Sequence, residues 1–288
     1  FGEEQAESEK ERRRKDQEKC EEMQPAVVSC GKTQQGEYRI VVMGGSFNPP
    51  TFAHLRLMLA AVDVLGAEKG IFVPSNHAYV KRKMCRQRSE KEVLPENVRE
   101  EMLNAMCAED GRLSVDTCEF GRELGSKTFE TMETIQKKYP GAELYFVAGG
   151  DKLSVIPHWH RNEEFLQNFK ILVTRRDDTA PEEMIRNNPF LNRHTDAFML
   201  LTEPEGLENI SSSSVRKLLR GGDMSAAEQQ VHPAVWELLK KVGWLKMDIT
   251  SFRGDYDFLS NFYTVPIEYE GLIYQNSEAA FQAQKCLD

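Results

Sequence analysis

Thr51 and His54 stand three residues apart, just beyond an apolar run that ends in Gly44-Gly45 and turns through Ser46-Phe47-Asn48-Pro49-Pro50. If a helix begins near Thr51, its hydroxyl and the His54 imidazole share one face at the helix's positive end. Gly44 and Gly45 have no Cβ, so backbone N–H groups can approach an anion closely and φ is free to turn positive. Two donors and a helix dipole then aim at one point, which is the outline of a phosphate site. A lone His here would read as a helix cap; the adjoining glycines, the Asn-Pro-Pro turn and Thr51 favour chemistry.

A second cluster lies far along the chain, Ile210-Ser211-Ser212-Ser213-Ser214-Val215-Arg216. Alone, four serines read as a flexible loop with a cap. Beside the first cluster they read as hydroxyls and free N–H groups at a helix start, with the planar fork of Arg216 one turn in. Between the two lie further candidates: the basic run Lys81-Arg82-Lys83, the strand-ending Gly149-Gly150-Asp151, Trp159 in Pro157-His158-Trp159, and Arg175 or Arg176 at a strand end.

The first cluster resembles the (His/Thr)-x-x-His signature of the nucleotidylyltransferase superfamily, and Gly-Ser-Phe-Asn-Pro-Pro is similar to the version in nicotinamide or nicotinate mononucleotide adenylyltransferases. The second resembles that superfamily's Ile-Ser-Ser-(Thr/Ser)-x-x-Arg, and Lys69 to Lys83 is similar to the eukaryotic type. The resemblance covers residues 38–246. It implies an ATP-dependent enzyme making NAD or deamido-NAD and pyrophosphate, with Mg2+ carried by ATP rather than by protein ligands.

It also implies site roles. Thr51, His54 and Arg216 are catalytic. Gly44, Gly45, Ser46, Phe47, Lys81 and Ser213 join His54 and Arg216 around ATP, with Lys83 as the alternative to Lys81. Ser46, Asn48, Gly149, Asp151, Trp159 and Arg175 meet the mononucleotide, Trp159 by stacking on the pyridine ring. Two positions depart from the family: Ala53 precedes His54 where many members have Gly, and Cys118 in Val115-Asp116-Thr117-Cys118-Glu119 stands where eukaryotic members carry a second stacking Trp. The choice between nicotinamide and nicotinate stays open.

Residues 249–263 and 277–285 resemble the opening of the NADAR family, with Phe258, Asn261 and Glu278 at its site. About 40 residues are too few to be expected to form a complete second domain. A rival reading keeps the fold but changes the acceptor, as in phosphopantetheine or cytidylyl-type transferases; another is a non-catalytic NAD or ADP-ribose sensor. The absence of Gly-x-Gly-x-x-Gly after the first strand makes a dehydrogenase the weakest reading.

These residues need a scaffold. From Tyr38, candidate strands at 39–43, 71–73, 113–115, 143–148, 170–174 and 197–201 alternate with helices at 54–65, 95–108, 126–139, 161–168, 181–187, 211–220 and 232–242. Most strands are apolar runs without period-two alternation, as when both faces of a parallel sheet are covered. The pattern implies an α/β, doubly wound Rossmann-like sheet with its ligand at the strands' carboxyl ends. Residues 1–37 read as a charged, disordered arm, and 247–288 as a short C-terminal segment.

Composition sets outer limits. With 288 residues, 40% apolar and 29% charged, the chain is long enough for one large domain or two small ones. A net charge of −9 argues against coating a nucleic acid, while a small anionic substrate needs only a local positive pocket. No run is long enough to span a membrane. The six Cys form no CxxC pair, and His194 and His232 have no companions at zinc spacing. A reducing compartment is expected, the cytoplasm with the nucleus as alternative, and the reading allows a homo-oligomer.

Overall fold

The computed structural model describes residues 27–28, 38–87, 90–122, 127–175, 180–244, 264–269 and 272–279. Its main sheet holds six parallel strands, β2 (Arg39–Gly45), β3 (Lys69–Pro74), β4 (Leu113–Val115), β5 (Glu143–Gly149), β6 (Lys170–Arg175) and β7 (Phe198–Thr202). A two-residue edge strand, β1 (Val27–Val28), pairs antiparallel with β7. The order β1-β7-β6-β5-β2-β3-β4 places the switch point at the carboxyl end of β2, between β3 and β5.

The strands form because both their faces are covered. In β2, Val41 and Met43 enter one core cluster while Ile40 and Val42 enter the other. This is the period-two consequence of a pleated strand between two helical layers. Full burial of each such side chain contributes about 1.5–3 kcal/mol. Helix α1 (Phe52–Leu65) turns Leu55, Met58, Ala61, Val62 and Leu65 inward, then stops at Gly66, whose left-handed φ of 57° closes the C-terminus.

Other expected helices are present as α3 (Glu96–Cys107), α4 (Thr128–Lys138), α5 (Asn162–Asn168), α6 (Pro181–Asn187), α8 (Ser212–Arg220) and α10 (Pro233–Lys241). One expectation needs correction. The segment after β3, where neither a strand nor a helix was expected, is helix α2 (His77–Arg86), capped by Asn76, whose side chain accepts the Tyr79 N–H at 2.7 Å, and anchored by buried Val80 and Met84. Short helices α7 (Pro189–Asn192) and α9 (Met224–Glu228), capped by Asn188 and Asp223, were also not foreseen.

The arm expected to lack structure contributes β1, and the C-terminal segment contributes an antiparallel pair, β8 (Ile267–Tyr269) and β9 (Leu272–Tyr274). Phe258 and Asn261 lie outside the described residues.

One buried polar side chain fixes the course of the chain beside the switch point. Asn48 is wholly buried; its Nδ2 donates to the Glu92 carbonyl at 2.7 Å and its Oδ1 accepts the Leu94 N–H at 2.8 Å. The turn after β2 is thereby fastened to the segment that leads into α3. Asn48→Ala leaves both backbone groups unpaired and is expected to cost about 3 kcal/mol. A urea unfolding midpoint equal to that of the wild type would remove this clasp from the account.

Candidate active site

At the carboxyl end of β2 the glycines serve packing. A Cβ on Gly45 would lie 3.0–3.3 Å from three carbons of the Phe47 ring, and one on Gly44 would lie 3.4 Å from Phe146. The positive φ expected at these glycines falls instead on Phe47, at 44°. That conformation buries the Phe47 ring against Phe72 and His54, at centroid distances of 5.6 and 5.0 Å.

Thr51 is the N-cap of α1, and its N–H donates to His54 Nδ1 at 3.0 Å; the Thr51 hydroxyl lies 2.8 Å from the same nitrogen. A backbone N–H can only donate, so Nδ1 must accept, and the neutral ring carries its proton on Nε2. His54 is therefore both a cap and, through Nε2, a hydrogen-bond donor. The two readings of this residue are compatible.

The second cluster docks onto the same turn. Ser211 caps α8 by accepting the Ser214 N–H at 3.0 Å, and the Ser212 hydroxyl donates to the Pro49 carbonyl at 2.7 Å. Arg216, only 4% exposed, donates to the Asn48 carbonyl at 2.7 Å and to Gln87 Oε1 and Ser213 Oγ at 3.1 Å each. Its Nε is 3.4 Å from Glu92 Oε2, close enough for attraction but without a hydrogen bond. Burial, opposed by Glu92 and assisted by Arg220, holds the Arg216 pKa below the ordinary arginine range. Arg216 thus ties the turn together as it stands.

Beside this knot opens a cleft of about 480 Å3. Its floor is the ends of β2 and β5, and its walls include Tyr79 and Lys83 of α2, Lys152, Trp159, Glu119 and Thr131. Lys83 Nζ lies 3.3 Å from Ser46 Oγ. Its pKa is lowered, first by burial, then by the positive charges of Lys152 and Arg216, with Asp151 opposing. Lys83 is therefore where the positive fields of the cleft and the serine-arginine cluster overlap.

Not every expected residue is in that cleft. Gly44, Gly45, Ser46, Gly149 and Trp159 line it. Thr51, His54, Ser213 and Arg216 gather around the adjoining turn, while Phe47 and Asn48 are buried beneath it. Lys81, exposed on α2, is not among the lining residues; its neighbour Lys83 is. Asp151 is exposed and paired with Lys152, and Arg175 is exposed and 3.2 Å from Glu182. Neither lines the cleft, nor do Glu278 and Cys118. Cys118 packs against the second core, and burial pushes its thiol up to about 12.

Sequence reading missed Lys152, Glu119, Thr131 and Arg99. Arg99 is wholly buried and donates to the Ser46 carbonyl at 2.9 Å and the Ser75 carbonyl at 2.7 Å, joining the ends of β2 and β3. Burial brings its pKa down to about 10 despite Glu96 and Glu119 nearby. Its signal was present: residues 99, 102, 103 and 106 form one helical stripe, otherwise Met and Leu.

Residues 42–218 match the family described as cytidylyltransferase-like. The chain is 32% identical over 184 residues to a probable nicotinate-nucleotide adenylyltransferase of Lachnoclostridium phytofermentans, covering 64% of this chain and 88% of that protein. It is also 32% identical over 183 residues to a protein of the same name from Carboxydothermus hydrogenoformans, covering 63% and 86%. Among solved structures, the Plasmodium falciparum nicotinic acid mononucleotide adenylyltransferase complexed with APC is similar in fold, with a TM-score of 0.58 at 18% identity over 74% of this chain and 99% of that one. The same protein complexed with NaAD aligns equally well.

The lowered pKa of Lys83 has a direct consequence. Its charge is lost at a lower pH than that of a free lysine, so inorganic pyrophosphate is expected to bind more weakly as pH rises toward the usual lysine range. Lys83→Arg stays charged throughout and should flatten that loss. Calorimetric titrations with the same pH dependence in both proteins would exclude Lys83 from anion binding.

Proposed function

This chain belongs to the cytidylyltransferase-like family, and from that premise we propose that it transfers the adenylyl group of ATP to nicotinamide or nicotinate mononucleotide, giving the dinucleotide of NAD biosynthesis and pyrophosphate. The 5′-phosphate oxygen of the mononucleotide attacks the α-phosphorus of ATP while the bond to pyrophosphate breaks. Such a displacement depends on alignment and on neutralising charge, and no side chain need form a covalent bond.

The observation that carries this reading is the position of Lys83, within the fields of Lys152 in the cleft and Arg216 beside it. An enzyme joining two phosphorylated substrates needs positive charge at their meeting point. The cleft with Trp159 would hold the mononucleotide, the flat ring suiting a pyridinium. The Gly44–Ser46 backbone and the α8 N-terminus would meet ATP, with His54 Nε2–H donating to the α-phosphate. Lys83 takes the phosphate-contacting role expected of Lys81. For Ser213 and Arg216 to grip the leaving phosphates, Gln87 and Glu92 must yield their present contacts.

Magnesium would arrive on ATP, where it neutralises phosphate charge. Among the described residues no group of three or more His, Cys, Asp or Glu could hold a metal. No described helix is long and apolar enough to cross a membrane. Residues 247–288, including the NADAR-like Phe258, Asn261 and Glu278, have no part in this reaction.

The decisive assay offers ATP with either pyridine mononucleotide and follows dinucleotide and pyrophosphate. Formation of both supports the proposal; no product, or product only from phosphopantetheine or CTP, contradicts it. His54→Asn keeps an acceptor for the Thr51 N–H but loses the Nε2 donor, and should lower kcat about a hundredfold to a thousandfold. Near-normal kcat would remove His54 from the chemistry. Trp159→Ala should raise KM for the mononucleotide and spare that for ATP; an equal rise in both would mark Trp159 as core packing alone.

A further inference from the structure

We infer that Arg220 is a positioning residue for ATP: by holding the Glu92 carboxylate it keeps that group from neutralising Arg216, whose charge is thereby left for the phosphates of the nucleotide. The inference rests on the proposed placement of ATP's leaving phosphates at Ser213 and Arg216, and goes beyond it by naming what keeps Arg216 available to an anion.

Arg216 and Arg220 stand four residues apart on α8, so their side chains leave the same face of the helix. One carboxylate serves both. Glu92 ends the short turn Glu90–Glu92, and its backbone is fixed beside the Ser46–Pro50 turn because Asn48 Nδ2 donates to the Glu92 carbonyl at 2.7 Å. Its side chain is shared unequally. Arg220 Nη1 donates to both carboxylate oxygens, at 2.6 and 2.8 Å, whereas Arg216 Nε stands 3.4 Å from Oε2 and makes no hydrogen bond among the described residues.

A buried guanidinium nitrogen without an acceptor is costly, and a carboxylate 3.4 Å away would close on it if nothing else held that carboxylate. Arg220 holds it. Arg220 is half exposed, so water screens its own charge and leaves it little direct attraction for a phosphate. Its influence on ATP is exerted on Glu92. Two arginines and one carboxylate leave a net positive charge, and the lowered Arg216 pKa agrees: burial, with Arg220 assisting, outweighs Glu92. A phosphate beside Ser213, whose hydroxyl accepts from Arg216 at 3.1 Å, supplies the negative charge that Glu92 withholds.

The test is a double-mutant cycle on ATP affinity, measured by calorimetry in the wild type, Arg220→Gln, Glu92→Gln and the double variant. In Arg220→Gln the carboxylate is released onto Arg216, so ATP is expected to bind about tenfold more weakly, the scale of a hydrogen bond to a charged group. In Glu92→Gln no carboxylate is left to restrain, so adding Arg220→Gln should change the affinity by less than about twofold. An Arg220 that attracts ATP only through space gives the same loss in both backgrounds, and that result overturns the inference. Arg220 is half exposed at the end of α8, so Arg220→Gln is expected to fold; if it binds ATP as the wild type does, the inference falls whether or not the Glu92 variants fold. Dinucleotide synthesis by the wild type is followed separately. If it is seen and the cycle is additive, the proposed function stands and the inference alone falls; if it is absent, the function falls and the ATP cycle still decides the inference.

Discussion

The turn from Ser46 to Pro50 has its carbonyls claimed by side chains from distant parts of the chain: Ser46 by Arg99, Asn48 by Arg216 and Pro49 by Ser212. Two of these donors are buried guanidinium groups, which lose much hydration and are tolerable only where their N–H groups find acceptors. The constraint works in both directions. The turn cannot move without exposing the arginines' need for partners, and the arginines fix where the turn can lie. Everything near the site inherits that position: Thr51 and His54 at the start of α1, Ser213 at the start of α8, and the ends of β2 and β3.

What results is a rigid frame with its positive charge partly neutralised from within. Glu92 accepts two contacts from Arg220, at 2.6 and 2.8 Å, and stands 3.4 Å from Arg216. Lys152 is paired with Asp151. Lys83 has its pKa lowered first by burial and then by the like charges of Lys152 and Arg216. An incoming phosphate relieves the repulsion, so the same electrostatics that burden the protein favour the anion. Preorganised charge of this kind acts at the transition state without reorganisation.

Much of this was legible because it is local. The six parallel strands and the two signatures each occupy a short stretch whose apolar runs, turn residues and caps declare themselves. Their meeting, across sequence separations of 163 and 168 residues, is a property of topology. Which of Lys81 and Lys83 lines the cleft is hidden for a related reason: only the fold brings Lys83 to it. Both are exposed on α2, one on either side of the buried positions Val80 and Met84. Glu119 gave no signal at all, since one acid beside Cys118 looks like any other until its burial is known. Asp151 and Arg175 sit at strand ends as expected, but each finds an exposed partner of opposite charge instead of the cleft.

The central claim is that the frame aligns two phosphates for direct displacement, with no covalent adenylyl-enzyme. The stereochemical course at the α-phosphorus tests this most directly. With ATP made chiral there by a single sulfur substitution, one in-line displacement inverts the configuration in the dinucleotide product. Inversion is the expected result. Retention would mean two successive displacements through a side-chain intermediate, and would contradict the claim that this site acts by position and charge alone.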